Sequence, residues 1–259
     1  MINDTTKLRN TGCVSDKTEL GLLKVNGSDA NRFLQAQTTN DINSLEEGDS
    51  QKSCLLDRKA KIVAVFDIYK TRECFYILSE KQLIKPILDH LEKFIFADKV
   101  ELEDLTGSIK FALVEGPRVR SVIKNALDKI PEASSFKKGI FDGTIANTPV
   151  KILRHSFSGE EGFAIACGSR QATDKILDLA RQADLVEMNE QLQNTAWVES
   201  GNLKFGIDYD TSSLLPETSL EQFCVSYDKG CFQGQEVLAR VRSHGAPTKA
   251  LVGLKMSYD

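Results

Sequence analysis

The 259-residue sequence is poor in the residues that usually announce a metal centre. Its three histidines, His90, His155 and His244, are scattered without zinc-ligand spacing. None of its six cysteines (Cys13, Cys54, Cys74, Cys167, Cys224, Cys231) forms a C-x-x-C pair. A metal held by this chain alone is therefore not expected. Several cysteines sit in apolar runs such as F-A-I-A-C-G, where a reduced thiol acts as a small hydrophobe, so a reducing compartment fits better than a disulfide scaffold. No apolar run approaches the roughly 20 residues that cross a bilayer. The opening M-I-N-D-T-T-K-L-R-N has neither an apolar signal core nor an Arg-rich presequence. A net charge of -4 without a long basic run argues against nucleic-acid binding by bulk charge. These absences lead us to expect a cytoplasmic monomer with no membrane partner and no direct nucleic-acid partner.

What is present is an ordinary globular mixture, 41% hydrophobic and 27% charged, enough for one large domain or two modest ones. Leu20 to Val25 reads as a strand closed by Asn26-Gly27, followed by a helix capped at Ser28 or Asp29 with Phe33 and Leu34 on one face. Ser53 to Leu56, Lys61 to Tyr69 and Cys74 to Leu78 read as strands, the last two joined as a hairpin near Thr71-Arg72. Apolar residues recur at the helical period over Glu80 to Phe96, with Pro86 placed in the first turns. Val100 to Leu105 alternates as an edge strand, and Thr106-Gly107 marks a boundary. A similar unit follows: strand Ile109 to Val114, a helix from Gly116-Pro117 to Leu127, strands over Gly139 to Ala146, Val150 to Phe157 and Gly162 to Cys167, then helices over Ala172 to Ala183 and Asn189 to Gly201. The expected fold is α+β, with one unit over 1–107 and a second over 108–245. Leu251 to Met256 starts a new strand, so 246–259 reads as the beginning of a further domain.

The most informative segment is K-G-C-F-Q-G-Q-E, containing Lys229, Gly230, Cys231, Phe232, Gly234, Gln235 and Glu236. Lys229 and the N-terminus of a following helix (about Gln235 to Arg242) favour a thiolate at Cys231. The same residues also read as a tight glycine turn in which Cys231 merely packs, with Glu236 complementing the helix dipole. In S-G-E-E-G-F, Glu160 is either part of an exposed hairpin turn or an acceptor for the donor edge of a heterocycle. In F-L-Q-A-Q-T-T-N-D-I, the run Gln37, Thr38, Thr39, Asn40 is either a capped helix end or a polar ligand lining. The charged turn Asp57 to Lys61, with Arg58 and Lys59, is either solvated or meets an anionic ligand tail. Trp197, the single tryptophan, belongs in the core or walls a flat ligand.

These segments, in this order, resemble the YgfZ family of folate-binding proteins, which is related to the T-protein (aminomethyltransferase) of the glycine cleavage system. The signature looks like K-G-C-[F/Y]-x-G-Q-E and is matched from Lys229 to Glu236 without departure. Further support comes from L-L-K-V-N-G-S-D-A-N-R-F-L-Q-A-Q-T-T-N-D-I, C-L-L-D-R-K-A-K-I-V-A, K-V-E-L-E-D-L-T-G and E-S-G-N-L-K-F-G-I-D-Y-D. The resemblance implies a T-protein-like fold of interleaved ferredoxin-like subdomains around a central opening, with the usual C-terminal β-barrel largely missing. It implies tetrahydrofolate or a one-carbon derivative as ligand. It also implies support of iron–sulfur cluster assembly or repair, with transient iron–sulfur partners and indirect effects on iron–sulfur enzymes that modify tRNA.

Carried over residue by residue, the resemblance makes Cys231 the signature thiol and sets Glu160 where T-proteins place a carboxylate against the pterin. Glu160, Gln37, Thr38, Asn40, Asp57, Lys59, Trp197 and Lys229 become candidate folate contacts, with Lys59 and Lys229 near the glutamate tail. The T-protein's catalytic aspartate aligns with Val65, next to Ala64, and its arginine in R-x-E-x-G aligns with Trp197. Aminomethyl transfer is therefore not expected. Strand alternation keeps Asp67 on the face of Val65, so Asp67 is a candidate acid/base. The alternatives to a folate-binding assembly factor are a folate-dependent one-carbon transferase or demethylase using Asp67, and a scaffold whose pocket is dead.

Overall fold

A computed structural model describes residues 4–16, 18–243, 245 and 247–254. The strands expected in the first half form a five-stranded antiparallel sheet. Its members are β2 (Leu20–Asn26), β3 (Ser50–Leu56), β4 (Ile62–Lys70), β5 (Phe75–Glu80) and β6 (Glu101–Asp104), ordered β3-β4-β5-β2-β6. The edge position expected for the E-L-E-D run is that of β6, whose exposed acids blunt a free edge. A second, six-stranded sheet holds β1 (Cys13–Ser15), β7 (Lys110–Glu115), β8 (Ile140–Ile145), β9 (Thr148–Arg154), β10 (Gly162–Cys167) and β11 (Val186–Glu187), ordered β11-β1-β7-β10-β9-β8. Among the described residues, β1–β11 is the one parallel strand pair of this sheet.

Strand periodicity sorts the side chains into three layers. Phe66 and Ile68 of β4 and Phe75 and Ile77 of β5 face outward onto α2 (Ala30–Gln37) and α3 (Lys81–Glu92). Ala112 and Val114 of β7 and Phe163 and Ile165 of β10 face α4 (Val119–Ala126) and α5 (Arg170–Gln182) on the opposite outside. The alternate residues, Tyr69, Tyr76, Leu78, Phe111, Leu113, Ala164 and Ala166, meet between the sheets. Both faces of these strands are covered, which is why they read as near-continuous apolar runs. The order is helix, sheet, sheet, helix. Tyr69 Oη donates to Arg154 O across the gap at 2.8 Å.

The division at residue 107 is crossed at both ends of the chain. The N-terminal helix α1 (Asp4–Asn10) and β1 belong with the second sheet, where Leu8 is fully buried. After α6 (Glu190–Ser200), ended by Gly201 at φ 71°, the chain returns to the first sheet. There Tyr209, Leu215, Cys224, Phe232 and Leu238 pack on Cys54, Leu56, Ala60 and Ile62 of the β3–β4 hairpin. Ile62 N donates to Ser213 O at 3.1 Å, and Ser226 N to Thr39 O at 3.1 Å. The K-G-C-F-Q-G-Q-E segment thus sits with the first sheet, not with the second unit in which it was expected. Helix α3 stops at Glu92, short of Phe96, and Pro86 lies in its second turn, among the first turns as expected. No strand forms over 247–254, and the rest of the strand expected from Leu251 lies outside the described residues.

Candidate functional site

Between the inner faces of the two sheets lies a cavity of about 310 Å³. One wall is Lys52 of β3, Val65 and Asp67 of β4, and Leu78 and Glu80 of β5; the other is Leu113 of β7 and the loop His155-Ser156-Phe157. Trp197 of α6 and Lys204 close a third side. The Phe157 and Trp197 rings stack with centroids 5.8 Å apart, and Lys204 Nζ lies 5.2 Å from the Trp197 ring. The Trp197 Nε1–H is buried without a partner, an exception among buried indoles.

The polar floor is a three-residue chain. Lys52 and Asp67 are direct cross-strand partners, which brings Lys52 Nζ to 3.0 Å from Asp67 Oδ1. His155 Nδ1 lies 2.9 Å from Asp67 Oδ2. Burial alone pushes the Asp67 carboxyl up, but the Lys52 charge and the His155 hydrogen bond outweigh it and hold the carboxyl well below the usual range. Asp67 also draws the Lys52 amine upward. Beneath the loop, the fully buried Glu115 accepts from Ser156 Oγ, Phe157 N and Ser158 N, each at 3.0 Å, and from Ser158 Oγ. This carboxylate fixes the backbone that carries His155 and Phe157.

Of the residues singled out from the sequence, the cavity brings together Asp67 and Trp197. Glu160 is not among its lining residues: Arg9 of α1 donates to Glu160 Oε1 at 2.8 Å, to Ser158 O at 2.8 Å and to Glu199 Oε2 at 3.0 Å. Gln37 ends α2, and Thr38 Oγ1 donates back to Leu34 O at 2.8 Å as a helix cap. Asn40 Nδ2 donates to Lys52 O at 2.8 Å and Phe223 O at 3.3 Å, stitching β3 to the returning segment. Asp57 Oδ1 accepts from Lys59 N and Lys61 N at 2.8 and 2.9 Å, which makes it the organiser of the β3–β4 turn; Lys59 itself is exposed. Thr38, Asn40 and Asp57 thus each meet a backbone group that needs a partner, while Glu160 meets the Arg9 side chain.

The signature segment divides in the same way. Lys229 is 8% exposed, and its Nζ donates to Gln35 O, Thr38 O and Asn40 O at 2.6, 2.6 and 2.9 Å. It caps the C-terminal end of α2 and is not free to meet a ligand tail. Burial pushes its amine down to about 8, against an upward pull from Asp41. Phe232 is buried, and Gly234 has φ 84° with Asp57 O 3.0 Å from where a Cβ would be, so glycine is favoured where this segment packs on the β3–β4 turn. Gln235 Oε1 accepts from Phe232 N at 3.3 Å, at the start of α7 (Gln235–Ser243). Glu236 is exposed and pairs with Arg240. Gly230 is open, and Cys231 is the exposed cysteine of the chain. Cys231 lies outside the cavity lining.

Sequence reasoning missed Lys52, His155, Phe157, Lys204 and Glu115. A lysine in the middle of an otherwise closing strand and a histidine beside S-G-E-E-G were the available signals. Their meeting depends on β3–β4 register and on sheet-to-sheet packing.

A two-sheet α+β protein with a mixed aromatic and charged cavity between its sheets is the class these features define. The family model described as GCVT N-terminal domain matches residues 1–229, and the chain belongs to that family. An aminomethyltransferase of Bacillus licheniformis is 26% identical over 248 residues, covering 93% of this chain and 67% of the relative. A tRNA-modifying protein YgfZ of Hamiltonella defensa is 26% identical over 239 residues, covering 90% and 67%. The crystal structure of glycine cleavage system aminomethyltransferase T from Bartonella henselae superposes with a TM-score of 0.82 at 21% identity, covering 95% of this chain and 67% of that one. The resemblance to the YgfZ and T-protein lineages and the T-protein-like fold read from the sequence both hold. The chain spans about two thirds of the length of these relatives. No helix among the described residues is long and apolar enough to cross a membrane.

Proposed function

We propose that this chain binds a reduced folate, tetrahydrofolate or a one-carbon derivative, in the cavity between its sheets. The observation that carries this is the stacked Phe157–Trp197 wall facing the Lys52–Asp67–His155 floor, in a member of the GCVT N-terminal domain family. At about 310 Å³ the cavity is at the low end of small-molecule sites, about 300–1,000 Å³. It suits the flat bicyclic head, with the tail directed outward. A buried indole N–H without a partner and an ionised carboxylate are a donor and an acceptor for such a head. The role that follows is assistance to iron–sulfur protein assembly or repair through transient protein partners, with indirect effects on tRNA-modifying iron–sulfur enzymes. The exposed Cys231 supplies the thiol for that role.

Titration calorimetry with tetrahydrofolate under reducing conditions tests the binding step. Saturable one-to-one heat is expected, and no heat at ligand excess sinks the reading. For the thiol, Cys231→Ala is expected to abolish function in cells while leaving the fold intact; full complementation removes its role.

A second reading, a one-carbon transferase or demethylase, is favoured by the presence of Asp67 in the cavity. Turnover of a methyl or methylene group that is lost in Asp67→Asn while binding is kept would support it. Asp67 is held ionised by Lys52 and His155, which makes it a poor proton donor and ranks this reading second.

A further inference from the structure

Asp67 is ionised and can only accept, so the His155 nitrogen 2.9 Å from it, Nδ1, carries hydrogen. In the neutral ring the second nitrogen, Nε2, then carries the lone pair. Nε2 has no hydrogen-bond partner among the described residues, and it is not one of the buried orphan atoms, which are His90 Nε2 and Trp197 Nε1. The ring lines the cavity and retains 17% side-chain exposure. Its backbone is fixed on both sides: His155 N donates to Gly162 O at 3.1 Å, and the following residues are gripped by Glu115. Glu160, the carboxylate expected to read the donor edge of a heterocycle, is held by Arg9 away from the cavity lining. His155 Nε2 is therefore an acceptor in the cavity lining that is both positioned and without a hydrogen-bond partner among the described residues.

We infer that His155 Nε2 is the acceptor with which the cavity reads an N–H group of its ligand, and that Asp67 is the positioning residue that fixes the tautomer. The ligand class is a flat heterocycle that lies against Phe157 and Trp197 and presents an N–H toward β4. An analogue with only acceptors on that edge meets a lone pair and is rejected. The identity of the ligand rests on the folate reading above; the tautomer and the access to Nε2 are properties of the free protein.

The test uses the full chain with 15N-labelled histidine, without ligand, on the alkaline side of the ring's own titration so that the ring is neutral. His155, assigned by the loss of its signals in His155→Gln, is expected to show a protonated Nδ1 and an unprotonated Nε2. It is also expected to react with diethyl pyrocarbonate at Nε2. Asp67→Asn should shift the tautomer balance, which a merely structural role for Asp67 would not do. A protonated, unreactive Nε2 in the free protein overturns the inference whether or not a folate binds.

With 5-formyltetrahydrofolate as probe, the Nε2 resonance should move and the modification rate fall at least about tenfold. His155→Phe should weaken the probe about tenfold, and His155→Gln, which keeps an acceptor, should stay closer to wild type. Binding by calorimetry with an unmoved Nε2 resonance overturns the inference and leaves the folate reading standing. If no heat is seen, the folate reading fails alone, and the tautomer and reactivity of His155 still decide the inference.

Discussion

Replacing Lys229 by methionine keeps the stem and removes the ammonium. In the native fold that ammonium donates to Gln35 O, Thr38 O and Asn40 O, at the end of α2, from a site 8% exposed. Hydrogen bonds from a charged donor contribute roughly 1.5–3 kcal/mol each. Against this stands the cost of taking the charge out of water. The fall of the amine from 10.5 to about 8 puts that cost at roughly 3 kcal/mol. The net loss in Lys229→Met is therefore about 1.5–6 kcal/mol, with three carbonyls left unpaired. Urea unfolding followed by Trp197 fluorescence reads it directly: with a slope of about 2–3 kcal/mol per M, the midpoint falls by about 0.5 M or more. The pH dependence has a definite sign. The folded amine titrates below the unfolded one, so between pH 8 and 10.5 the unfolded chain binds more protons and the Lys229 contribution to stability rises with pH. The gap between wild type and variant widens across that window. A midpoint within about 0.2 M of wild type would refute the capping role, and a gap that narrows with pH would refute the downward shift of the amine.

Four further outcomes are expected. Gly234→Ala places a Cβ 3.0 Å from Asp57 O and 3.1 Å from Ala60 Cα at φ 84°, and thermal melting should show a loss of about 1–3 kcal/mol. Gly230→Ala, with nothing within 4 Å, should stay within about 0.5 kcal/mol. Asp67, whose carboxyl is held below its ordinary 3.8, contributes stability that is present above that pH and lost as pH falls through the folded value. Asp67→Asn should flatten this acid limb in a pH-unfolding series. With an aromatic disulfide reagent, the native protein should show one fast thiol, since five cysteines are buried and Cys231 is exposed. Cys231→Ser should remove that phase, and two or more fast thiols in the native protein would contradict the burial.

Most elements of both sheets and their helices were legible because alternation and helical periodicity are local signals, while Asp4–Asn10, Cys13–Ser15 and Val186–Glu187 were not. Leu20–Asn26, Gly162–Cys167 and Gln235–Ser243 fall close to where the pattern placed them. The edge strand β6 was recognisable from its acids alone. What the pattern hid was long-range. Nothing in the first fifteen residues says that Cys13–Ser15 pairs with both Lys110–Glu115 and Val186–Glu187. The site was half legible for the same reason. Asp67 and Trp197 stood out by residue type. Lys52 and His155 gain meaning only when register and sheet packing bring them to Asp67. The polar runs at Gln37 to Asn40 and at Asp57 to Lys61 look alike as linings and as caps, and unpaired backbone groups decided between the two.

The return of the chain to its first sheet has a consequence for synthesis on the ribosome. The β3–β4 hairpin emerges early, but the residues that cover Cys54, Leu56 and Ile62 are Tyr209, Leu215, Cys224, Phe232 and Leu238. At roughly 5–20 residues per second, the wait between Ile62 and Leu238 is on the order of ten to thirty-five seconds. For that time the nascent first sheet carries a bare apolar face, and it is the arrival of the signature segment that closes it.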